Sequence, residues 1–133
     1  MKIIIVGGVA GGASAAARLR RLDEGADIVL FERGENVSFA NCGLPYHVGG
    51  VIPDRESLLV MPPARFKGRL ALDLRVRHEV VSIDRDAHTV RFLNLATGAY
   101  GTEAYDKLLL ATGSAPLRPP LPGIDDPDVL TLW

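Results

Sequence analysis

Cysteine is nearly missing from this chain: Cys42 is the single one in 133 residues. Without a second sulfur no internal disulfide can form, which excludes the stapled framework of a small secreted domain. Aromatic residues are also few, at 6%, and Tyr46, Tyr100, Tyr105 and Trp133 are too dispersed to make a stacking platform. His47, His78 and His88 lack the spacing of a ligand set, so no metal is expected. Charge of one sign is lacking too. The formal net charge is −1 and the charged residues are spread out, which gives no basic field for nucleic acid or an anionic membrane surface. The apolar run at residues 3–6 is too short for a signal-peptide core or a membrane span. A cytoplasmic protein is the expectation that these absences leave.

What is present is enough apolar material for a core, 47% of the residues, and a length that suits one domain. Residues 3–6 are continuously apolar and bounded by glycine, the pattern of a strand buried on both faces of a parallel sheet. The turn Gly7-Gly8-Val9-Ala10-Gly11-Gly12 follows. Residues 13–24, rich in Ala, Leu and Arg, predict a helix that Gly25 is placed to stop. Residues 27–32 predict a second parallel strand, closing a βαβ unit. Gly, Pro and Asn dominate residues 34–63, which read as loops around Cys42, and Pro62 and Pro63 can open a short helix through 64–67. From Leu72 the pattern alternates, with Leu72, Leu74 and Val76 on one face and Asp73, Arg75 and Arg77 on the other. Residues 79–84 continue this stretch, and with the two further runs at 89–95 and 99–105, separated by the turn Thr97-Gly98, it reads as an antiparallel three-stranded meander. Residues 107–111 return to the buried-strand type.

The fold class expected is therefore α/β, a parallel sheet with helices and an antiparallel β-meander. The domain is read as residues 1–115. Pro116, Pro119, Pro120 and Pro122 make 116–133 a stiff linker. An apolar element begins at 129–133 and breaks off, so a longer parent chain is expected.

Several stretches can carry chemistry. A strand, a glycine-rich turn and a helix make an anion site, because first-turn N–H groups are unpaired and the helix dipole is positive there. The dinucleotide pattern G-x-G-x-x-G is met at Gly7 and Gly12, with Val9 at the middle position. Glu32 stands about 20 residues past the turn, where a carboxylate accepts ribose hydroxyls and repels a 2′-phosphate; the plainer alternative is a solvated strand-end acid. Ala111-Thr112-Gly113 again puts glycine just past a buried strand. On the first helix Ser14, Arg18 and Arg21 share one stripe, next to an apolar stripe of Ala15, Leu19 and Leu22 expected to pack on the sheet. The arginines read either as a solvated face or as a docking strip for a polyphosphate, to which guanidinium forks are suited. A lone cysteine is most often a small buried filler. Against that, Ser38 and Asn41 bracket Cys42, and Gly43-Leu44-Pro45 suits a turn entering a short helix, where backbone N–H groups stabilise a thiolate.

The strings Gly7-Gly8-Val9-Ala10-Gly11-Gly12-Ala13-Ser14, Phe31-Glu32-Arg33-Gly34, Val37-Ser38-Phe39-Ala40-Asn41-Cys42-Gly43-Leu44-Pro45-Tyr46 and Tyr105-Asp106-Lys107-Leu108-Leu109-Leu110-Ala111-Thr112-Gly113 closely resemble the N-terminal FAD-binding part of the single-cysteine pyridine nucleotide-disulfide oxidoreductases. The nearest branch is that of the coenzyme A disulfide reductases, including forms fused to a rhodanese domain, and the resemblance covers nearly the whole chain. It implies a three-layer, Rossmann-like FAD/NAD(P)-binding fold. It also implies FAD held by Gly7, Val9, Ala10, Gly11 and Gly12 at the pyrophosphate and by Glu32 and Arg33 at the ribose. Val80, Val81, Ala111, Thr112 and Gly113 would complete the cradle. Cys42 is implied as the catalytic sulfur, NADH or NADPH as the electron donor, and a coenzyme A-type disulfide or persulfide as the substrate, held by Ser14, Arg18, Arg21, Ser38 and Asn41.

With no second cysteine, Cys42 must cycle against an external partner through a mixed disulfide, a persulfide or a sulfenic acid. Related NADH oxidases and peroxidases that use sulfenic acid carry a histidine in the glycine turn where this chain has Ala10, which disfavours peroxide chemistry. That oxidase or peroxidase reading, and a flavin-binding module in which Cys42 is incidental, are the alternatives. The resemblance further implies a homodimer when full length, with an NAD(P)-binding domain, a second FAD segment and a dimerisation domain outside these residues. The 133-residue chain alone is expected to show no NAD(P)H-dependent turnover. An NADH or NADPH oxidation assay with coenzyme A disulfide checks this, and measurable turnover would count against it.

Overall fold

The computed structural model describes residues 1–132; Trp133, and what was expected of it, lies outside them. In chain order the elements are β1 (Lys2–Val6), α1 (Gly11–Leu22), β2 (Asp27–Glu32), a 3₁₀ turn at Asn41–Gly43, α2 (Leu44–Val48), a second 3₁₀ turn at Arg55–Leu58, α3 (Pro63–Leu70), β3 (Asp73–Val76), β4 (His78–Asp84), β5 (Thr89–Asn94), β6 (Tyr100–Ala104) and β7 (Lys107–Leu110). β1 is central in a parallel sheet, with β2 and then β3 on one side and β7 on the other. Successive strand side chains alternate faces. Ile3, Ile5, Ile28 and Leu30 accordingly meet α1 and α3 through Ala13, Ala16 and Phe66, while Ile4, Val29 and Phe31 meet the meander through Val90. With both faces covered, β1 and β2 are unbroken apolar runs rather than alternating ones. Each large side chain so sealed contributes about 2 kcal/mol of transfer free energy.

The helix expected at 13–24 runs from Gly11 to Leu22, where Asp23 leaves it in an extended conformation with its N–H on the Leu19 carbonyl. Its packing stripe also differs from the one expected. Gly12, Ala13 and Ala16 are buried and Leu19 half-buried, whereas Leu22 is 66% exposed. The reason is distance: a helix whose first turn lies close against the sheet has room there for glycine and alanine only. α3 extends beyond the expected 64–67 to Leu70 and buries Phe66.

β4, β5 and β6 form the antiparallel meander. The alternating stretch from Leu72, expected to run on into the meander, instead joins the parallel sheet as its edge strand, β3, beside β2, because the chain turns at Arg77, in the left-handed region at φ 54°, before β4 begins. Leu72, Leu74 and Val76 pack toward the helices. Arg75, on the opposite face, is half-buried under the meander, 5.1 Å from the Phe31 ring centre and 5.4 Å from that of Phe92. The two rings are themselves 5.0 Å apart. Arg75 Nη2 reaches Glu103 Oε2 of β6 at 2.7 Å, and Lys2 Nζ of β1 donates to Glu103 Oε1. One carboxylate thus ties both sheets together. Beyond β7, residues 111–132 contain no helix or strand. No helix among the described residues is long and apolar enough to cross a membrane.

Burial by itself would raise the Glu103 pKa, but hydrogen bonds from Lys2 and Arg75, and then their charges, outweigh it and hold the carboxyl below its ordinary value of 4.5. A depressed folded-state value means a stabilising contribution that is present above pH 4.5 and lost as the pH falls through the folded value. Glu103→Gln is therefore expected to lower stability at neutral pH and to lose less further stability on acidification than the parent. Denaturant titrations between neutral pH and the acid limb check this.

Candidate functional site

The glycine turn brings three stretches of backbone together. Gly7 has φ +96°, and a Cβ on it would stand 2.2 Å from the Ala111 carbonyl oxygen; a Cβ on Gly12 would stand 1.7 Å from the carbonyl oxygen of Gly7. No other residue fits either place. The turn therefore closes between β1 and the exit of β7, with α1 seated directly above it. No side chain caps the start of α1 and no acid occupies its first turn. Its unpaired N–H groups and the positive end of its dipole are left open to an anion. Val9, at the middle motif position, is half-buried.

Glu32, at the end of β2, is not a solvated acid: it is 9% exposed. Its Oε2 accepts the Gly8 N–H at 2.7 Å and its Oε1 the Gly34 N–H at 2.7 Å. The carboxylate thereby pins the glycine turn to the loop after β2. Two adjoining hollows open around it. One, of about 320 Å³, is walled by Phe31, Arg33, His78, Val80 and Thr112. The other, of about 390 Å³, lies along Gly7 to Gly11, Asn41 and Ala111. Gly7, Glu32, Arg33, Thr112 and Gly113 border both. Gly12 lies buried below the turn. Val81 is the extra residue where the β4–β5 register shifts, and it is 45% exposed, so it borders neither hollow while Val80 does. His78 donates from Nδ1 to the Val76 carbonyl at 2.7 Å, which places a hydrogen on that nitrogen because a carbonyl only accepts. The uncapped helix start, the two side-chain-free glycines and the acid at the strand end together fit an adenine dinucleotide.

A third hollow, a groove of about 430 Å³, runs between α1 and α3. Ser14, Arg21, Ser38 and Arg69 supply its polar lining, and Val60, Met61, Phe66 and Leu70 much of the apolar lining. Arg18 stands exposed on the same helical stripe but outside the lining, and Asn41 borders the glycine cradle instead. Arg69 was not foreseen from the sequence, since the helix that carries it was expected to end at residue 67.

The cysteine loop separates groove from cradle. Val37 is fully buried as its anchor. Ser38, in the left-handed region at φ 53°, donates its N–H to the Gly8 carbonyl at 2.9 Å and accepts from the Val60 N–H at 3.2 Å. The Ala40 N–H donates to the carbonyl of Leu58, itself buried, at 2.8 Å. Ser38 borders the groove, Asn41 the cradle, and Phe39 both. Cys42 follows in the 3₁₀ turn and is exposed, not a buried filler. Among the described residues no group of three or more His, Cys, Asp or Glu could hold a metal ion.

Comparison with known proteins matches this arrangement to one family. The sequence profile of the pyridine nucleotide-disulphide oxidoreductases matches residues 1–132. A coenzyme A disulfide reductase of Staphylococcus aureus (strain JH9) is 45% identical over 114 residues, which is 86% of this chain and 26% of that protein. The chain thus spans about a quarter of the length of the curated relatives it matches. Among solved structures, reduced CoADR-RHD of Bacillus anthracis is 54% identical with a TM-score of 0.89, over 92% of this chain and 22% of that one. An NAD-dependent persulfide reductase from A. fulgidus is 37% identical with a TM-score of 0.87, over 94% and 23%. The family's cofactor is FAD, the dinucleotide that the cradle fits. By fold, by glycine turn and by sequence, the chain belongs to the FAD-dependent pyridine nucleotide-disulphide oxidoreductases.

Proposed function

We propose that this chain is the FAD-binding portion of an NADH- or NADPH-dependent reductase of coenzyme A disulfide or persulfide, acting through Cys42. The longer protein would work in the cytoplasm as a homodimer, with residues 116–133 leading to its NAD(P)-binding domain. The observation that carries the reading is the cysteine loop, whose Ser38, Phe39 and Asn41 border the arginine groove on one side and the glycine cradle on the other. The names of the S. aureus and A. fulgidus relatives support the substrate class.

FAD, when bound, supplies the relay that hands two electrons from the nicotinamide nucleotide to the sulfur. The open N–H groups at the start of α1 hold its pyrophosphate. A carboxylate offers about four acceptor sites, so Glu32 keeps lone pairs for ribose hydroxyls beyond the two taken by Gly8 and Gly34. Arg33, Val80, Thr112 and Gly113 border the adenosine side. In the groove, Arg21 and Arg69 bind phosphates as forks, Ser14 and Ser38 add hydroxyl donors, and the apolar wall takes the pantetheine arm. Arg18 adds charge at the mouth. The Cys42 thiolate attacks one sulfur of coenzyme A disulfide. A mixed disulfide forms as the substrate's S–S bond breaks, and one coenzyme A leaves as a thiolate that takes a proton from water. Two electrons then cleave the mixed disulfide, restoring the Cys42 thiolate and freeing the second coenzyme A.

In the full-length protein, Cys42→Ser is expected to keep the flavin absorbance and to lose coenzyme A disulfide reduction to background. Retained turnover would refute the role given to the sulfur. Fast oxygen uptake without disulfide would favour the oxidase reading instead. Glu32→Gln presents an amide N–H₂ to one of two backbone N–H groups, leaving a buried donor unpaired. It is expected to cost about 1–3 kcal/mol of stability in the cofactor-free chain, and to weaken FAD binding as well. Denaturation of the apoprotein together with FAD titration checks both effects.

A further inference from the structure

Arg20 neighbours a groove arginine yet lines none of the three hollows described above. Its half-buried guanidinium instead donates to backbone carbonyls at two helix ends. Nε reaches Leu70 O at 2.8 Å and Nη2 reaches Ala71 O at 2.8 Å, both at the end of α3. Nη1 reaches Glu24 O at 2.6 Å and, more distantly, Asp23 O at 3.4 Å, both just past α1. Carbonyls at a helix end have no partner within the helix, and a cation there is also favoured by the dipole. A planar fork with several donors can serve both ends at once, which a single ammonium nitrogen cannot do in the same directions.

We propose that Arg20 is a positioning residue for the substrate groove: by clamping the C-terminal ends of α1 and α3 together it fixes Arg69 relative to Arg21 for a ligand that carries several phosphates. The proposal rests on the phosphate-binding reading of the groove given above. The clamped atoms lie next to the groove arginines in the chain, since Arg20 precedes Arg21 and Leu70 follows Arg69. α3 has little else to hold it. It fully buries one side chain, Phe66, with Leu70 half-buried against the same core, and it ends at Ala71 in the left-handed region at φ 46°, a conformation without glycine to favour it. Phe66 secures the middle of the helix; at the end that carries Arg69, the half-buried Leu70 side chain supplies packing and Arg20 supplies the hydrogen bonds to the terminal carbonyls.

Calorimetric titration of coenzyme A into the FAD-loaded protein tests this, alongside amide hydrogen exchange. Arg20→Ala is expected to raise the dissociation constant for coenzyme A by about tenfold or more, the scale of a lost charge-assisted contact. The FAD dissociation constant should stay near the parent value, and exchange at residues 69–72 should accelerate while β1 and β2 stay protected. Arg20→Lys, which keeps the charge and guards against a variant that fails to fold, should recover only part of the affinity. Unchanged coenzyme A affinity in Arg20→Ala overturns the proposal, as does full recovery with lysine, which would assign the effect to charge alone. An equal loss of FAD affinity also overturns it. A parent protein without affinity for coenzyme A refutes the substrate reading, and the exchange data then decide the clamp: faster exchange confined to the end of α3 supports it, and unchanged exchange overturns it.

Discussion

The working end of this molecule depends on one close approach of backbone to backbone, that of Gly12 against the carbonyl of Gly7, where a methyl group would stand 1.7 Å from the oxygen. That contact lets α1 begin directly over the end of β1. The N–H groups of its first turn then face the space beyond the strands, where an anion can take them. It also brings the helix so near the sheet that Ala13 and Ala16 fill the interface. The other side of the same short turn, Val9 and Ala10, becomes a wall shared by cradle and groove. A single tight turn thus serves two binding spaces at once.

The sheet below needs both faces covered, and the second cover is the meander. Phe31 and Phe92 meet across the two sheets with Arg75 over both rings, and Glu103 gathers Arg75 and Lys2. This clasp has a functional side. β4, held in place by it, supplies His78 and Val80 to the hollow beside Glu32. Glu32 itself faces two demands, because the carboxylate offered to a ribose is the one that braces the glycine turn through Gly8 and Gly34.

The arginines of α1 divide their work according to helical geometry. At about 100° per residue, Arg20 and Arg21 cannot point the same way. Arg21 borders the groove, Arg20 turns in to the ends of α1 and α3, and Arg18 remains in solvent. Side chains alike in composition therefore do unlike things, and adjacency in the chain puts the groove and its brace within one residue of each other.

Much of this was legible in the chain. Unbroken apolar runs mark β1 and β2 as strands covered on both faces, glycine at 7 and 12 marks the turn, and the period of two marks the face that Leu72, Leu74 and Val76 share. The cysteine motif pointed to an accessible sulfur, and Cys42 is exposed. Contacts between distant stretches were not legible. Leu22 looked like a packing residue until the buried stripe of α1 proved to run through Gly12, Ala13 and Ala16, and Val81 looked equivalent to Val80 until the register shift turned it away. Arg69 and the carbonyls held by Arg20 lie about fifty residues from their partners on α1. Periodicity and motif, which act within one element, determined which side chains share a face and which residue types sit at the turn. The distance between faces, and so the width of the groove and the partners of Glu32, was decided only when the elements packed, because hydrogen bonds and steric contact act at a few ångströms regardless of separation along the chain.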